Sequence, residues 1–287
     1  MTTKQRRQVV THLLAAFATS ARRACRLVGL SRSRWQYRSQ RGDDAVLRTR
    51  LRELAAAKPR WGYQQLHTLL RREGHAVNHK KVLRLYREEG LAVSRRRRKK
   101  HVAIARVPLP KPTGRTERWS MDFVSDALFD GRGFRCFTLV DDFTRECPVI
   151  EVAHSLPAWR VIHALERVAA ERGLPRSIVC DNGPEFAGKA MDRWAYERGV
   201  TLQFIRPGKP VENAFCESFN GKLRDECLNA NWFASLPDAQ RTIEQWRCDY
   251  NDVRPHKSLG RRTPSEFTKE LQKELLELPS IHPRLTA

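Results

Sequence analysis

Residues 180–226 set the strongest limits on the fold of this chain. The segment opens with Cys-Asp-Asn-Gly-Pro-Glu-Phe, which contains Asp181, and Glu217 follows after 35 intervening residues. A third acid, Asp122, precedes Asp181 with 58 residues between them. Two of these acids lie on strand-like segments and one on a helix-like segment. Three separated carboxylates in such positions are what a site for two divalent metal ions needs.

Alternating residues after residue 118 predict β-strands. Trp119, Met121 and Phe123 are apolar and alternate with smaller or polar residues, so Asp122 is predicted to point away from the apolar face of its strand. A short apolar strand at 177–180 then delivers Asp181 to its carboxyl end, where α/β sheets usually bind ligands. The sequence therefore predicts that strand ends position both acids.

The remaining pattern predicts an α/β fold with a five-stranded mixed sheet. We expect strands over 119–124, 134–140, 147–152, 177–180 and 201–205. We expect helices over 156–171, from Pro184 to Arg198 and after Pro210. The order is three strands, then helix, strand, helix, strand and helix.

The helix after Pro210 has an apolar stripe and a separate polar face. Phe215, Phe219, Leu223 and Cys227 recur every four residues and predict the buried stripe. Glu217 lies off that stripe, in line with Asn213, Asn220 and Arg224. This face suits a group that binds a metal beside a phosphate, while an ordinary charged surface helix is the alternative.

Two helical segments precede the strands. Residues 1–40 predict short helices, the first ending near Thr19 and the next two capped by Ser20 and Ser31. They resemble a helix-turn-helix, although a plain three-helix bundle fits equally. Residues 45–94 predict a second helix-turn-helix-like block, proposed to bind DNA, whose last helix is capped by Asn78. That helix carries candidate phosphate contacts, for which a solvated face is the alternative: Lys80, Lys81 and Arg84.

Positive charge is concentrated before the acidic residues. The chain has a net charge of +22, and residues 1–117 contain 30 Lys+Arg against 7 Asp+Glu, or +23. Such a field favours a nucleic-acid partner. Residues 95–115 predict a basic, proline-rich linker. Its candidate DNA-binding residues are Arg95, Arg96, Arg97, Arg98, Lys99 and Lys100.

Cysteine usage and hydropathy indicate a cytoplasmic protein. The seven cysteines are odd in number and form no CxxC pair, as is typical of a reduced chain without disulfides or a zinc site. Lys4, Arg6 and Arg7 precede an apolar run that is interrupted by Thr11 and His12, so we expect no signal peptide. No uncharged stretch is long enough to span a membrane.

At this point the motifs resemble a known family. Asp122, Asp181 and Glu217 with the 35-residue gap are similar to the D,D(35)E core of retroviral-type integrases and insertion-sequence transposases. The resemblance extends to the catalytic subunit (OrfB type) of IS3-family transposases over nearly the whole chain. It is carried by Pro-Arg-Trp-Gly-Tyr at 59–63, Val-Asp-Asp-Phe-Thr-Arg at 140–145, Pro-Gly-Lys-Pro at 207–210 and the stretch 250–264.

The resemblance implies an RNase H-like catalytic core over 116–230 and a C-terminal helical extension over 231–287. It implies that Asp122, Asp181 and Glu217 bind two Mg²⁺ or Mn²⁺ ions. The implied reaction cleaves DNA at the element ends and joins the freed 3′-hydroxyl to target DNA. No zinc module of the retroviral kind is present, because Cys25 is the only cysteine before residue 136.

The resemblance also implies partners and DNA contacts. Lys222 and Arg224 resemble basic residues that family members use near the attacking DNA end, and Lys209 lies in one of the matching motifs. The implied partners are element-end and target DNA, further copies of the chain assembled on DNA, and a companion helix-turn-helix subunit of the OrfA type. Asp141 and Asp142 are interpreted mainly as a turn, with a role at the metal site as the alternative, and Glu185 and Glu212 are further candidate acids.

Two other functions remain open on the sequence. One is a catalytically silent DNA-binding regulator derived from a transposase, against which the intact set of three acids argues. The other is a nuclease of RNase H type that cleaves without joining, which the residues 250–266 disfavour. Substitution of Asp181 tests the first, and supply of a target strand tests the second.

Overall fold

The computed structural model describes residues 1–37, 44–93, 110–183, 185–206 and 213–277. It divides the chain into two compact units, Met1–Thr49 and Arg50–Ala287. The basic run at 95–100, Lys209 and Glu212 lie outside the described residues.

Helices α1 (Thr3–Ala16), α2 (Ala21–Val28) and α3 (Arg32–Gln36) lie in the first unit. The side chains of Ser20 and Ser31 accept hydrogen bonds from backbone N–H groups, which confirms both as helix caps. The prediction that the first helix ends near Thr19 was wrong, because Phe17 is already extended. A small core holds the three helices together, formed by Val10, Ala24, Cys25 and Leu30.

Helices α4 (Ala45–Ala57), α5 (Tyr63–Arg72) and α6 (His79–Glu88) form the second helical block. Asn78 caps α6 as predicted, since its Oδ1 accepts from the Lys80 N–H over 2.8 Å. The buried residues recur at helical spacing and are Leu51, Leu54, Leu66, Leu70, Val82 and Leu85.

A five-stranded sheet forms the centre of the second unit. Its strands are β1 (Arg118–Ala127), β2 (Gly133–Asp141), β3 (Val149–Ala153), β4 (Ser177–Cys180) and β5 (Thr201–Phe204). They lie in the order β3-β2-β1-β4-β5, with β2 antiparallel to both neighbours and β4 parallel to both β1 and β5. This confirms the predicted mixed sheet and its RNase H-like arrangement.

The two faces of the sheet bury different helices. Trp119, Met121 and Phe137 share a core with helices α7 (Ala158–Arg172) and α8 (Lys189–Arg198). The other face packs against α9 (Ala214–Glu226) and α10 (Leu236–Asp252), and α11 (Pro264–Glu277) follows. Because consecutive strand residues alternate between faces, Asp122 lies on the α9 side, as predicted.

Several predicted element bounds differ from the structure. Strand β3 begins at Val149 rather than residue 147, because the backbone N–H and carbonyl of Cys147 bond to the side chain of Asn251. Helix α8 begins only at Lys189, because the Gly183 carbonyl accepts from two N–H groups in a preceding turn. Within the described residues, no helix is both long and apolar enough to cross a membrane.

The buried stripe of α9 is displaced by one residue at its start. Cys216, Phe219 and Leu223 are buried in the helix, whereas Phe215 is only half-buried. The predicted stripe was therefore wrong at Phe215 and right at the later positions. Cys216 lies against Thr138 of β2, so the sheet selects this residue rather than its neighbour.

Candidate active site

Parallel pairing of β1 and β4 determines where Asp122 and Asp181 lie. Ser120 of β1 is opposite Val179 of β4, and in each case the acid follows two residues later in the sequence. Asp181 follows the last residue of β4 directly, and the Gly183 N–H donates to its Oδ1 over 3.0 Å. The structure thus brings the two predicted aspartates to the same level on neighbouring strands.

Asp122 is held by two hydrogen bonds and is partly withdrawn from water. The Phe123 N–H donates to Oδ1 over 2.8 Å, and the Asn220 side-chain nitrogen donates to Oδ2 over 2.9 Å. Burial raises the pKa of Asp122 above its ordinary value, and the negative charges of Asp181 and Glu217 raise it further. The three carboxylates are therefore close enough for their charges to interact.

Glu217 lies in the first turn of α9, at an exposed position. Partial desolvation of its carboxyl group raises the pKa of Glu217 above its ordinary value. A carboxylate in the first turn of a helix also faces the positive end of the helix dipole, which favours its charged form.

A row of polar side chains connects α9 to β1. Asn213 donates to the Met121 carbonyl over 3.1 Å, and Arg224 donates to the Ser125 carbonyl over 2.9 Å. Asn220 donates to Asp122, so all three helix residues have their partners on strand β1. The predicted polar face of α9 is therefore present. Asn213, Asn220 and Arg224 on this face bind the helix to strand β1.

Thr138 is a further residue of the site that the sequence pattern did not predict. The Thr138 hydroxyl lies 2.9 Å from Asn220 Oδ1, and Thr138 is opposite Asp122 in the β1–β2 register. Asn220 is thus held by β2 while it donates to Asp122. The three-residue spacing from Glu217 indicated the face of Asn220 but not its partner.

The other candidate acids have structural partners. Asp141 accepts three backbone N–H groups, and Asp142 bonds to Arg118 Nε and Ser120 Oγ, each over 2.6 Å. Glu185 forms an ion pair with Arg135. These contacts match the turn interpretation of Asp141 and Asp142.

The donor chemistry of Asp122, Asp181 and Glu217 suits a hard divalent cation. All three offer carboxylate oxygens, and none forms an ion pair with a described Lys or Arg. Burial raises the pKa of Asp122, and the charges of Asp181 and Glu217 raise it further, so a bound cation would favour the ionised form of Asp122. Across the described ranges, however, no three His, Cys, Asp or Glu side chains converge closely enough to enclose a metal ion.

The candidate DNA-binding residues occupy different environments. Lys80 and Lys81 are exposed on α6, whereas Arg84 is half-buried and forms an ion pair with Glu88 over 3.0 Å. Arg224 is exposed beside β1, while Lys222 is half-buried on another side of α9. The two residues that the sequence grouped together therefore face different surroundings.

The C-terminal end of α9 contacts the second helical block. Glu226 accepts from Trp61 Nε1 over 3.3 Å and from Arg254 Nε over 3.1 Å. Arg60 pairs with Asp225 over 2.5 Å beside it. The motif around Trp61 thus packs on the helix that carries Glu217.

Models of known protein families match successive parts of the chain. An HTH-like domain model matches residues 42–100, and two integrase core domain models match residues 112–210 and 198–264. An uncharacterized 31.7 kDa protein of insertion element IS407 from Burkholderia multivorans is 52% identical over 249 residues, covering 86% of this chain and 90% of that protein.

Two further relatives belong to named insertion elements. An uncharacterized 39.2 kDa protein of insertion element IS476 from Xanthomonas euvesicatoria is 44% identical over 265 residues, covering 92% of this chain and 77% of that protein. Transposase InsF for insertion sequence IS3A of Escherichia coli is 24% identical over 270 residues, covering 86% of this chain and 93% of that protein.

Proposed function

This chain belongs to the IS3 family of insertion-sequence transposases, and we propose that it cleaves DNA at the ends of its element and joins the freed 3′-hydroxyl to target DNA. Asp122, Asp181 and Glu217 are the proposed catalytic carboxylates. The observation that carries the proposal is the parallel pairing of β1 and β4, which places Asp122 and Asp181 at the same level of neighbouring strands. Asn220, three residues after Glu217 on α9, donates to Asp122 and so ties the helix of the third acid to the same strand.

The chain's own residues prepare this site. Phe123 and Asn220 fix the Asp122 carboxylate by one hydrogen bond to each oxygen, and the Gly183 N–H fixes Asp181. Two Mg²⁺ or Mn²⁺ ions bound by these acids would supply a Lewis acid for the phosphate and a more acidic water or hydroxyl nucleophile. The acids themselves need form no covalent bond to DNA.

Separate parts of the chain are proposed to grip the DNA. Residues 45–94 form the proposed DNA-binding domain with Lys80, Lys81 and Arg84, and residues 95–115 the basic linker. Residues 116–230 form the proposed catalytic core, in which Arg224 lies on the same helix face as Glu217. We further propose that copies of the chain assemble on DNA and that an OrfA-type subunit assists them.

A gel assay of strand cleavage and joining tests the proposal. Short duplexes with candidate element ends are incubated with Mg²⁺ and with target DNA that accepts a 3′-hydroxyl. We expect nicked and joined products from the wild type and none from Asp122→Asn, Asp181→Asn or Glu217→Gln. Joined product distinguishes a transposase from a nuclease that only cleaves.

Asp126→Asn is the matched control. Asp126 lies four residues along the same strand, and its Oδ1 likewise accepts from the next backbone N–H over 2.8 Å. It should retain full activity. DNA binding without any metal-dependent product, with the companion subunit present, would favour the silent regulator instead.

A further inference from the structure

Three basic side chains beside α9 form no ion pair with any acid in the described part of the chain. Arg145, Lys222 and His256, here called the basic cluster, lie around the side of the helix that carries Phe215 and Lys222. Arg145 Nη1 and His256 Nε2 are buried and have no hydrogen-bond partner within the ranges that the structure describes, and His256 is only 6% exposed. Among the described residues, the Lys222 ammonium donates only to Ser218 Oγ, over 3.2 Å.

Aromatic rings hold the basic cluster in place. The Arg145 guanidinium lies 3.8 Å from the centroid of the Phe215 ring. The Tyr250 ring lies 5.9 Å from the Lys222 ammonium and 4.9 Å from the His256 ring, which it meets edge to face. Because Tyr250 is itself buried, these contacts restrict how far the charged groups can move toward water.

The nearest carboxylates are already occupied. Asp141 accepts three backbone N–H groups, and Asp142 bonds to Arg118 and Ser120. Glu226 bonds to Arg254 and Trp61. Acids therefore lie near the basic cluster, but each of them forms its hydrogen bonds or ion pairs with other groups.

Uncompensated positive charge in this position is costly. Burial, together with nearby Arg254, lowers the pKa of Lys222 to about 8. Burial, together with Lys222, Arg254 and Arg145, lowers the pKa of His256 to about 3. An anion at the cluster would offset the burial cost and the mutual repulsion of the two charged members, Arg145 and Lys222, while His256 stays neutral.

We propose that the basic cluster binds a phosphate group of the DNA backbone, at a site separate from the three catalytic carboxylates. Arg145 and Lys222 are both half-buried, and their N–H groups are the donors that would bind a pair of phosphate oxygens. Helix α9 then contacts DNA on two sides, through Arg224 on the helix face that carries Glu217 and through the basic cluster. This inference rests on the proposed function for its ligand, since a DNA substrate brings phosphates to α9.

The salt dependence of DNA binding tests the site. The full chain is titrated with a 30-base-pair duplex at several salt concentrations, in buffer with a chelator so that no cleavage occurs. Each phosphate contact that is lost should reduce the slope of log affinity against log salt by about 1. Lys222→Met should show that reduction, and Lys222→Arg should restore the slope.

Two comparisons exclude trivial causes. Lys269→Met removes an exposed lysine of α11 and should leave the slope unchanged. Lys222→Met removes a desolvated charge from contact with Tyr250, so its melting temperature should equal or exceed that of the wild type. A loss of binding then does not reflect unfolding.

Inorganic phosphate is the second probe, measured by calorimetry without DNA. We expect the wild type to bind it and Lys222→Met and Arg145→Gln to bind it more weakly. Wild-type slopes in Lys222→Met would overturn the assignment to DNA, and unchanged phosphate affinity would overturn the anion site altogether. Because binding is measured without metal, neither result depends on whether the protein cleaves DNA.

Discussion

Asn220 donates a hydrogen bond to Asp122 Oδ2 over 2.9 Å and so connects helix α9 to the central strand of the sheet. Its carbonyl oxygen lies 2.9 Å from the hydroxyl of Thr138 on β2. The amide of Asn220 therefore connects α9 with strands β1 and β2, and it fixes the orientation of one proposed catalytic carboxylate. This contact makes Asn220 a positioning residue.

Asn220→Ala should lower the rate of strand cleavage by about 10- to 100-fold, as is usual when a partner of a metal-binding group is removed. The Mg²⁺ concentration needed for half-maximal rate should rise, while DNA affinity measured without metal should not change. Asn231→Ala is the control, because the Asn231 side chain donates to the Cys227 carbonyl over 2.8 Å and not to one of the three acids. A wild-type rate at every Mg²⁺ concentration would show that Asp122 needs no support from α9.

Gly183→Ala should also impair cleavage more than DNA binding. A Cβ atom at Gly183 would lie 3.0 Å from Asp181 Oδ1 and 3.3 Å from Glu185 Oε2, so the Asp181 carboxylate would have to move. Gly221→Ala is the control within α9, where the added carbon meets no atom within 4 Å. That control should stabilise the protein by about 1 kcal/mol in urea unfolding, because alanine favours a helix interior. Equal activity in both variants would contradict the prediction.

Glu226→Ala should cost about 3–5 kcal/mol of unfolding free energy, because it leaves the guanidinium of Arg254 buried without a partner. The side chains of Glu226 and Arg254 are only 10% and 11% exposed. Glu197→Ala is the matched comparison, since Glu197 pairs with Arg193 on an open helix surface. It should cost no more than about 1 kcal/mol. Similar losses in the two variants would show that the buried pair has no special weight.

His256 should make the protein less stable in acid. Its pKa is lowered from the ordinary 6.5 to about 3, so the folded form stays neutral while the unfolded chain takes up a proton. Stability from this group is complete above pH 6.5 and is lost as the pH falls toward 3, at up to about 1.4 kcal/mol per pH unit. Urea unfolding at pH 7.5 and 5.0 in phosphate-free buffer measures the loss.

His256→Gln should remove that part of the pH dependence, so the wild type and the variant should differ less at pH 5.0 than at pH 7.5. His163→Gln, at an exposed position of α7, should leave the dependence intact. If the difference in unfolding free energy between the wild type and His256→Gln stays constant with pH, His256 is not held neutral in the folded protein.

The sequence predicted those features that depend on local periodicity. Alternation placed Asp122 on the face away from Trp119 and Met121, and the apolar run at 177–180 correctly positioned Asp181 at a strand end. The register of parallel strands was not needed for either prediction. Both acids could therefore be found before any contact between elements was known.

Contacts between elements could not be predicted in this way. The apolar stripe drawn through every fourth residue of α9 drifts across the helix surface, because the helix repeats every 3.6 residues, and it therefore selected Phe215 instead of Cys216. The bond from Asn220 to Asp122 depends on how α9 crosses the sheet. The unpartnered ring nitrogen of His256 and the unpartnered guanidinium N–H of Arg145 depend on which groups surround them, and sequence periodicity does not give that.

Strands β1 and β2 pair residue by residue from Trp119 opposite Asp141 to Ala127 opposite Gly133. Loss of a single codon between Trp119 and Asp122 would turn Asp122 into the aromatic core and bring an apolar side chain to the carboxylate site. Copies of this gene can therefore diverge in these strands by substitution, as from Met121 to leucine. They cannot gain or lose one amino acid there without losing the core and the site together.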